Sequence, residues 1–180
     1  MIRPIYTYGE KNLTESSVDV ELNDPTLPDT INDLFDTMRE SPGGIGLAAP
    51  QIGINKNIFV IDVDDQDEDG LDGIFINPKI LQEGGYIHQI NESCLSFPGL
   101  SLCVKRPTII EVEWYDGSHQ YHKQFFIDIQ ARIIQHEIDH LQGKLISDII
   151  NEDDKQKHID DFENIKHKRV KADYPLYNGN

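Results

Sequence analysis

The sequence feature that most constrains this chain is the segment at residues 135–143, which reads QHEIDHLQG. It contains a His-x-x-x-His spacing with a glutamate inside it, formed by His136, Glu137 and His140. Residues four apart on an α-helix lie on one face, so the two imidazoles can bind one metal ion while Glu137 exchanges a proton with water. Roughly one in fifty shuffled chains of this composition contains the pattern by chance. The surrounding sequence therefore has to show whether it is a metal site.

The surrounding residues predict that this pattern lies on a buried helix. Two apolar stripes run along it at helical spacing, through Ile129 and Ile133 on one side and Ile134, Ile138 and Leu141 on the other. A helix that is apolar on two sides is buried, and the glycine at position 143 is a suitable end for it. Buried imidazoles need polar partners, and a metal ion provides one.

Length and charge restrict the classes of protein that this chain can belong to. It has 180 residues, from which we predict a single domain over residues 1–180. Its net charge of -16 argues against nucleic acid or an anionic membrane as a direct partner. We expect a cytoplasmic protein, because the sequence shows neither a signal-peptide opening nor a run of about 18 apolar residues. An organellar location stays open if a transit peptide has been removed.

The remaining pattern predicts an α+β fold with antiparallel strands packed around this central metal-binding helix. An amphipathic helix is expected to begin after a cap at Asp29 or Thr30. Strands are expected over residues 57–64, 73–80, 85–90, 108–115 and 120–126. A polar C-terminal helix is expected at the surface, followed by a frayed tail at residues 173–180.

An acidic segment at residues 62–72 suggests a separate ion site. Asp65, Asp67 and Asp69, followed by Gly70, match the opening of an EF-hand calcium loop. Ile76 stands where such a loop needs a bidentate glutamate, and a strand precedes the segment where a helix is required. We therefore favour a solvated acidic hairpin loop over a calcium site.

Local chemistry leaves the third metal ligand open. A catalytic zinc-type site has three protein ligands and one open position. Glu152, His158 and Glu163 lie downstream, on a segment too polar to pack comfortably against a buried site. Cys94, upstream, would join a thiolate to the two imidazoles, which is a suitable set for Zn²⁺ or Fe²⁺. This favours Cys94 without deciding between the candidates.

Three segments together resemble one family, the peptide deformylases. They read GIGLAAPQ at residues 44–51, ESCLS at residues 92–96 and QHEIDHLQG at residues 135–143, in the order of the family's GxGxAAxQ, EGCLS and QHExDHLxG motifs. With the opening segment, the resemblance covers about residues 2–150. It implies a metal-dependent hydrolase that removes the N-formyl group from the N-terminal formylmethionine of newly made polypeptides and releases formate.

The resemblance also implies a role for each matching residue. One divalent metal ion, Fe²⁺ in the cell and replaceable by Zn²⁺, Ni²⁺ or Co²⁺, would be held by Cys94, His136 and His140. Glu137 would act as general base and then as general acid. The side chain of Gln51 and the backbone N–H of Leu95 would stabilise the oxyanion. On local evidence alone, Gln51 could equally be a surface glutamine at a turn.

Substrate contacts follow from the same resemblance. The methionine side chain and the extended peptide would contact Gly44, Ile45, Gly46, Ile90, Glu92, Ser93, Ile129, Arg132 and Ile133. Glu92 would also pair with Arg106 and steady the ligand segment. Ser93 stands where the family usually has glycine, which would cost about 1 kcal/mol or more if its φ were positive. At Arg132 the resemblance does not determine the shape of the methionine pocket. The implied partners are a formylmethionyl polypeptide and, transiently, the ribosome.

Two alternatives to a deformylase stay open. A metalloendopeptidase with this helix motif would cleave internal peptide bonds and take its third ligand from downstream. A non-catalytic binding module with a structural metal would need a fourth protein ligand. The candidates for that fourth ligand are His88, Cys103, His119 and His122.

Overall fold

One antiparallel sheet and the helix that follows it in sequence organise the fold. The computed structural model describes residues 1–63 and 71–179. Its elements are α1 (Leu27–Glu40), β1 (Gly46–Ala48), β2 (Ile58–Val63), β3 (Leu71–Ser93), β4 (Ser101–Tyr115), β5 (Tyr121–Ile127), α2 (Asp128–Leu141), α3 (Ile146–Ile149), α4 (Glu152–Lys157) and α5 (Ile159–Lys166). The predicted α+β class with antiparallel strands is confirmed. The acidic segment considered for calcium, residues 65–70, lies outside the described residues.

The five strands pair in sequence order from β1 to β5, and every pairing is antiparallel. The sequence predicted two strands where the structure has the single strand β3. The glycines at 84 and 85 look like a turn in the sequence, but here they form part of an irregularity within the strand, where the register with β4 shifts between Gly84 and Ile87. Gly85 has a φ of 76°, which suits a bulge better than a regular strand position.

Helix α2 packs against β4, β5 and β1. Its residues Ile134 and Ile138 lie in a core cluster with Phe59, Phe75 and Trp114, in which the Phe59 and Phe75 rings stack at 4.6 Å between centroids. This apolar side holds the helix against the sheet, because burying large side chains there removes apolar surface from water. The opposite side of α2 is left facing the end of β3, where the polar residues of the site lie.

The predicted start of the first helix was wrong. Helix α1 begins at Leu27, after Thr26, and not after a cap at Asp29 or Thr30. Pro28 is accommodated in its first turn, because the missing N–H would have had no partner there.

The C-terminal tail was predicted to fray over residues 173–180, but residues 174–177 are docked. Ile5 donates its N–H to the carbonyl of Pro175 at 2.8 Å, and Tyr177 donates to the carbonyl of Ile5 at 2.8 Å. The rings of Tyr6 and Tyr177 stack at 4.0 Å between centroids. The partner of this segment is the opposite end of the chain, which local sequence patterns do not indicate. In the described residues, no helix has the length and apolarity needed to cross a membrane.

The turn after α2 yields a test of the packing that holds this helix. Gly143 and Gly99 have positive φ values of 70° and 74°. A Cβ at position 143 would lie 2.7 Å from the backbone carbonyl carbon and oxygen of Thr14, whereas a Cβ at position 99 would meet nothing within 4 Å. We expect Gly99→Ala to cost about 1 kcal/mol in unfolding free energy and Gly143→Ala about 1–3 kcal/mol more. Urea unfolding of both variants measures the difference, and equal losses would contradict the contact with Thr14.

Candidate metal centre

Three side chains with metal-ligating atoms converge at one point of the structure. Cys94 follows β3, and His136 and His140 lie one turn apart on α2. Their candidate ligand atoms all lie within 4.8 Å of one another. The Cys94 Sγ atom is 3.2 Å from His140 Nε2. The structure thus brings together the residues that the sequence identified as the metal ligands.

The donor set fits a divalent transition metal. A thiolate with two imidazoles suits Zn²⁺ or Fe²⁺, and His136 is already oriented as a ligand because its Nδ1 lies 2.9 Å from Glu92 Oε2. That contact directs the other ring nitrogen away from Glu92. His140 Nδ1 is buried without a hydrogen-bond partner among the described residues. His140 Nε2, by contrast, faces Cys94 Sγ, and a metal ion bound to both atoms would satisfy these two interior groups.

The other candidate ligands lie elsewhere. Within residues 1–63 and 71–179, the group of possible ligands consists of Cys94, His136 and His140. Of the downstream candidates, His158 lies 2.9 Å from Asp161 and Glu163 lies 3.1 Å from His167, both in exposed pairs. The candidates for a fourth ligand are likewise absent from the group: His88, Cys103, His119 and His122. This arrangement favours a site with an open position over a closed structural site.

Glu92 supports the metal ligands through a network of charged hydrogen bonds. Its Oε1 accepts from Arg106 Nε and from Arg132 Nη1, each at 2.6 Å, and its Oε2 accepts from Arg106 Nη2 at 2.9 Å. Arg106 also donates to Asp139 Oδ2 at 2.7 Å. Burial alone would raise the pKa of Glu92, but the hydrogen bonds from His136 and Arg106 outweigh it and hold that pKa well below its usual range. Glu92 is therefore ionised and fixed, and both its oxygens are occupied by these partners.

Arg132, which was predicted to border a methionine pocket, is also part of this charge network. Besides its bond to Glu92, it donates from Nη2 to the carbonyl of His88 at 2.7 Å and from Nη1 to the carbonyl of Val104 at 3.2 Å. Only 5% of the residue is exposed. Its charge is neutralised by Glu92, so it borders the pocket without presenting a free cation. The sequence did not indicate this pairing with Glu92, although the spacing of four between Arg132 and His136 places both on one helix face.

Glu137 lies beside the ligands with one free carboxylate oxygen. The residue is 4% exposed, and its Oε2 has no hydrogen-bond partner among the described residues. A Cβ at Gly46 would lie only 2.6 Å from its Oε1, so the glycine makes room for this carboxylate. Burial raises the pKa of Glu137 to about 7, although the charges of His136 and Arg106 oppose the rise. A buried carboxyl with an unpaired oxygen is equipped to exchange a proton with a ligand in the cleft.

Gln51 is buried at this site, so its interpretation as a surface glutamine was wrong. It lies on the short 3-10 helix Ala49–Ile52, and 2% of it is exposed. Its Oε1 accepts from the backbone N–H of Ala48 at 2.9 Å, which orients the amide. Its Nε2 then donates to Ser96 Oγ at 3.2 Å and lies 3.6 Å from Cys94 Sγ. The amide donor is thus directed toward the metal ligands.

A cleft of about 620 Å³ joins these residues to the surface. The predicted residues that line it are Gly44, Ile45, Gly46, Gln51, Ile90, Glu92, Ser93, Cys94, Leu95, Ile129, Arg132, Ile133, His136 and Glu137. His140 and Arg106 lie behind this lining. Ser93 is a strand residue and is not among those with positive φ, so the strain considered for it does not arise. Tyr174, from the C-terminal tail, also lines the cleft and was missed by the sequence analysis.

Comparison with known proteins agrees with this geometry. The family model for polypeptide deformylase matches residues 2–156. A peptide deformylase of Chlorobaculum parvum is 38% identical over 178 residues, which cover 98% of this chain and 94% of the relative. A peptide deformylase of Christiangramia forsetii is 34% identical over 188 residues, with 98% of this chain and 95% of the relative covered.

Solved structures show the same relationship. The crystal structure of peptide deformylase from Ehrlichia chaffeensis matches with a TM-score of 0.84 and 31% identity, covering 94% of this chain and 97% of the other. A peptide deformylase from Synechococcus elongatus in complex with actinonin matches with a TM-score of 0.80 and 36% identity, covering 89% and 86%. This chain therefore belongs to the polypeptide deformylase family of hydrolases, which remove the N-formyl group from newly made polypeptides.

Proposed function

We propose that the cleft deformylates an N-terminal formylmethionine, with one divalent metal ion held by Cys94, His136 and His140, so that α2 is the metal-binding helix. The observation that carries this assignment is the buried Oε2 of Glu137, which has no hydrogen-bond partner in the described part of the chain. Glu137 lines the same cleft as Cys94, His136 and Gln51. A metal bound there supplies Lewis acidity, lowering the pKa of water toward 7 and polarising a carbonyl. We propose Fe²⁺ as the metal in the cell, with Zn²⁺, Ni²⁺ and Co²⁺ as functional replacements.

Glu137 moves the protons in this proposal. Its Oε2 takes a proton from the water that attacks the formyl carbon, and later gives a proton to the amine nitrogen that leaves. The products are formate and a peptide with a free N-terminal methionine. Burial of the carboxylate keeps bulk water from competing for this oxygen, and general acid–base catalysis of this kind contributes about 10²–10⁴-fold to rate.

Two donors would stabilise the oxyanion that forms at the formyl oxygen. Gln51 contributes its Nε2, which is already oriented by the contact of Oε1 with the N–H of Ala48. Leu95 contributes its backbone N–H, directly after the ligand Cys94. An amide donates without carrying charge, so it does not compete with the histidines for the metal. Loss of one such donor typically costs about 3 kcal/mol in transition-state stabilisation.

The peptide would extend along β1. This strand is at the edge of the sheet, since β2 is its one strand neighbour within residues 1–63 and 71–179. The backbone around Ile45 and Gly46 is therefore free on one side to pair with an extended peptide. The methionine side chain would enter the apolar part of the cleft between Ile90, Ile129 and Ile133, beside the neutralised Arg132. We further propose that residues 1–180 act as one catalytic domain in the cytoplasm, with transient ribosome contact, because the substrate is made there.

Replacement of the proposed base separates proton transfer from metal binding. We expect Glu137→Gln to retain the metal and lose about 10²–10⁴-fold in kcat, because the carboxylate moves protons and is not a ligand. Formate release from a formyl-Met peptide and metal content should be measured on the same sample. Glu163→Gln, at an exposed site on α5, is the matched control. Loss of metal together with activity would assign Glu137 a structural role.

The space beside Glu137 yields a second test. In Gly46→Ala the new methyl group would lie 2.6 Å from Glu137 Oε1, so the carboxylate must move. We expect kcat to fall by about tenfold or more, because a displaced base transfers protons poorly. Gly84→Ala is the control, since a Cβ there has its nearest neighbour at 4.0 Å. A rate unchanged in both variants, measured at equal metal content, would mean that the position of this carboxylate does not limit catalysis.

A further inference from the structure

The C-terminal tail contributes a side chain to the cleft. Tyr174 lies beyond residues 2–156, which the family model matches, yet it lines the cleft beside the metal-ligand segment. Its hydroxyl donates to the backbone carbonyl of Leu95 at 2.9 Å. Leu95 follows the ligand Cys94 directly and is the residue whose N–H we assign to the oxyanion. A residue from outside the matched region thus contacts the catalytic backbone.

Three successive carbonyls of the turn that carries Leu95 each accept a hydrogen bond. The carbonyl of Cys94 accepts from the N–H of Phe97 at 2.8 Å, which closes the turn. The carbonyl of Ser96 accepts from the N–H of Tyr8 at 2.9 Å. The carbonyl of Leu95, between them, accepts from Tyr174. Without that hydroxyl, the middle carbonyl of this turn would lose its side-chain donor, and the peptide plane after Leu95 would be less restrained.

Tyr174 itself is anchored through the N-terminal segment. The next residue, Pro175, accepts through its carbonyl from the N–H of Ile5 at 2.8 Å. Tyr6, which follows Ile5, donates its N–H to the carbonyl of Gln51 at 2.8 Å. The tail is therefore hydrogen-bonded directly to Leu95 and is connected to the backbone of Gln51 through Ile5 and Tyr6 of the N-terminal segment. Burial raises the pKa of Tyr174, so its hydroxyl keeps the proton that it donates.

We propose that Tyr174 is a positioning residue for deformylation: its hydroxyl holds the carbonyl of Leu95, which restricts backbone rotation at this residue and so keeps its N–H, in the adjoining peptide group, directed at the formyl oxygen. This inference rests on the proposed role of Leu95 in oxyanion stabilisation. The interaction strengthens only as charge develops on the formyl oxygen, so a poorly aimed donor lowers kcat more than it weakens binding of the substrate. The docked tail then contributes to catalysis through Tyr174.

The test compares two tyrosines of the same segment. Tyr174→Phe removes the hydroxyl on Leu95 and keeps the ring, whereas Tyr177→Phe keeps the ring that stacks on Tyr6 and leaves Leu95 untouched. We expect Tyr174→Phe to lower kcat for formyl-Met-Ala-Ser about tenfold, with KM within about twofold of the parent value. Tyr177→Phe should keep the parent kcat. Calorimetric titration with Met-Ala-Ser should give equal affinity for the parent and Tyr174→Phe, since product binding does not use the oxyanion donors.

Three outcomes would overturn the proposal. An unchanged kcat in Tyr174→Phe would show that the hydroxyl does not position Leu95. An equal loss of kcat in both variants, with equal falls in thermal midpoint, would show that the tail is merely structural. A rise in KM with kcat unchanged would make Tyr174 a substrate contact. Failure of the proposed function is distinguishable from all three, because the unmodified metal-loaded protein would then release no formate.

Discussion

The carboxylate of Glu92 is the interaction on which the rest of the site depends. It stands near the end of β3 and is bound by Arg106 from β4 and by Arg132 and His136 from α2. Arg106 in turn holds Asp139, so the cluster contains two buried or nearly buried cations and two carboxylates. Each charge is paired, which avoids the penalty of several kcal/mol for an uncompensated ion in the interior. The result is a fixed distance between α2 and the segment that begins at Cys94.

The remaining parts of the site are placed by close contact of backbone segments. Gly46 lets β1 approach Glu137 without a Cβ in the way, and the 3-10 turn that follows β1 brings Gln51 into the interior. The first and last segments of the chain then brace this turn and the Cys94 turn from the other side. Catalysis requires that base, ligands and oxyanion donors are held within a fraction of an ångström, and here each is tied to a neighbouring element.

Sequence reasoning succeeded where function depends on local spacing and failed where it depends on distant partners. His136 and His140 could be placed on one helix face because an i, i+4 spacing is a local property. Cys94 was left open by chemistry alone and was favoured by the motif resemblance. The charge network at Arg132 and the docking of Tyr174 could not be read from the sequence, since their partners are about 40 and 80 residues away along the chain. The continuous strand β3 was missed for a related reason, because a glycine pair predicts a turn unless its cross-strand partners are known.

The most direct test of the account is an anomalous-scattering map of crystals of the metal-loaded protein, collected at the absorption edge of the bound metal. We expect one peak bonded to Cys94 Sγ and to one ring nitrogen each of His136 and His140, with no fourth protein ligand. Glu137 should lie beside the peak without coordinating it, and Glu92 should still contact His136 Nδ1. A peak bonded to another protein side chain, or a Cys94 thiol that lies free of the metal, would contradict the account.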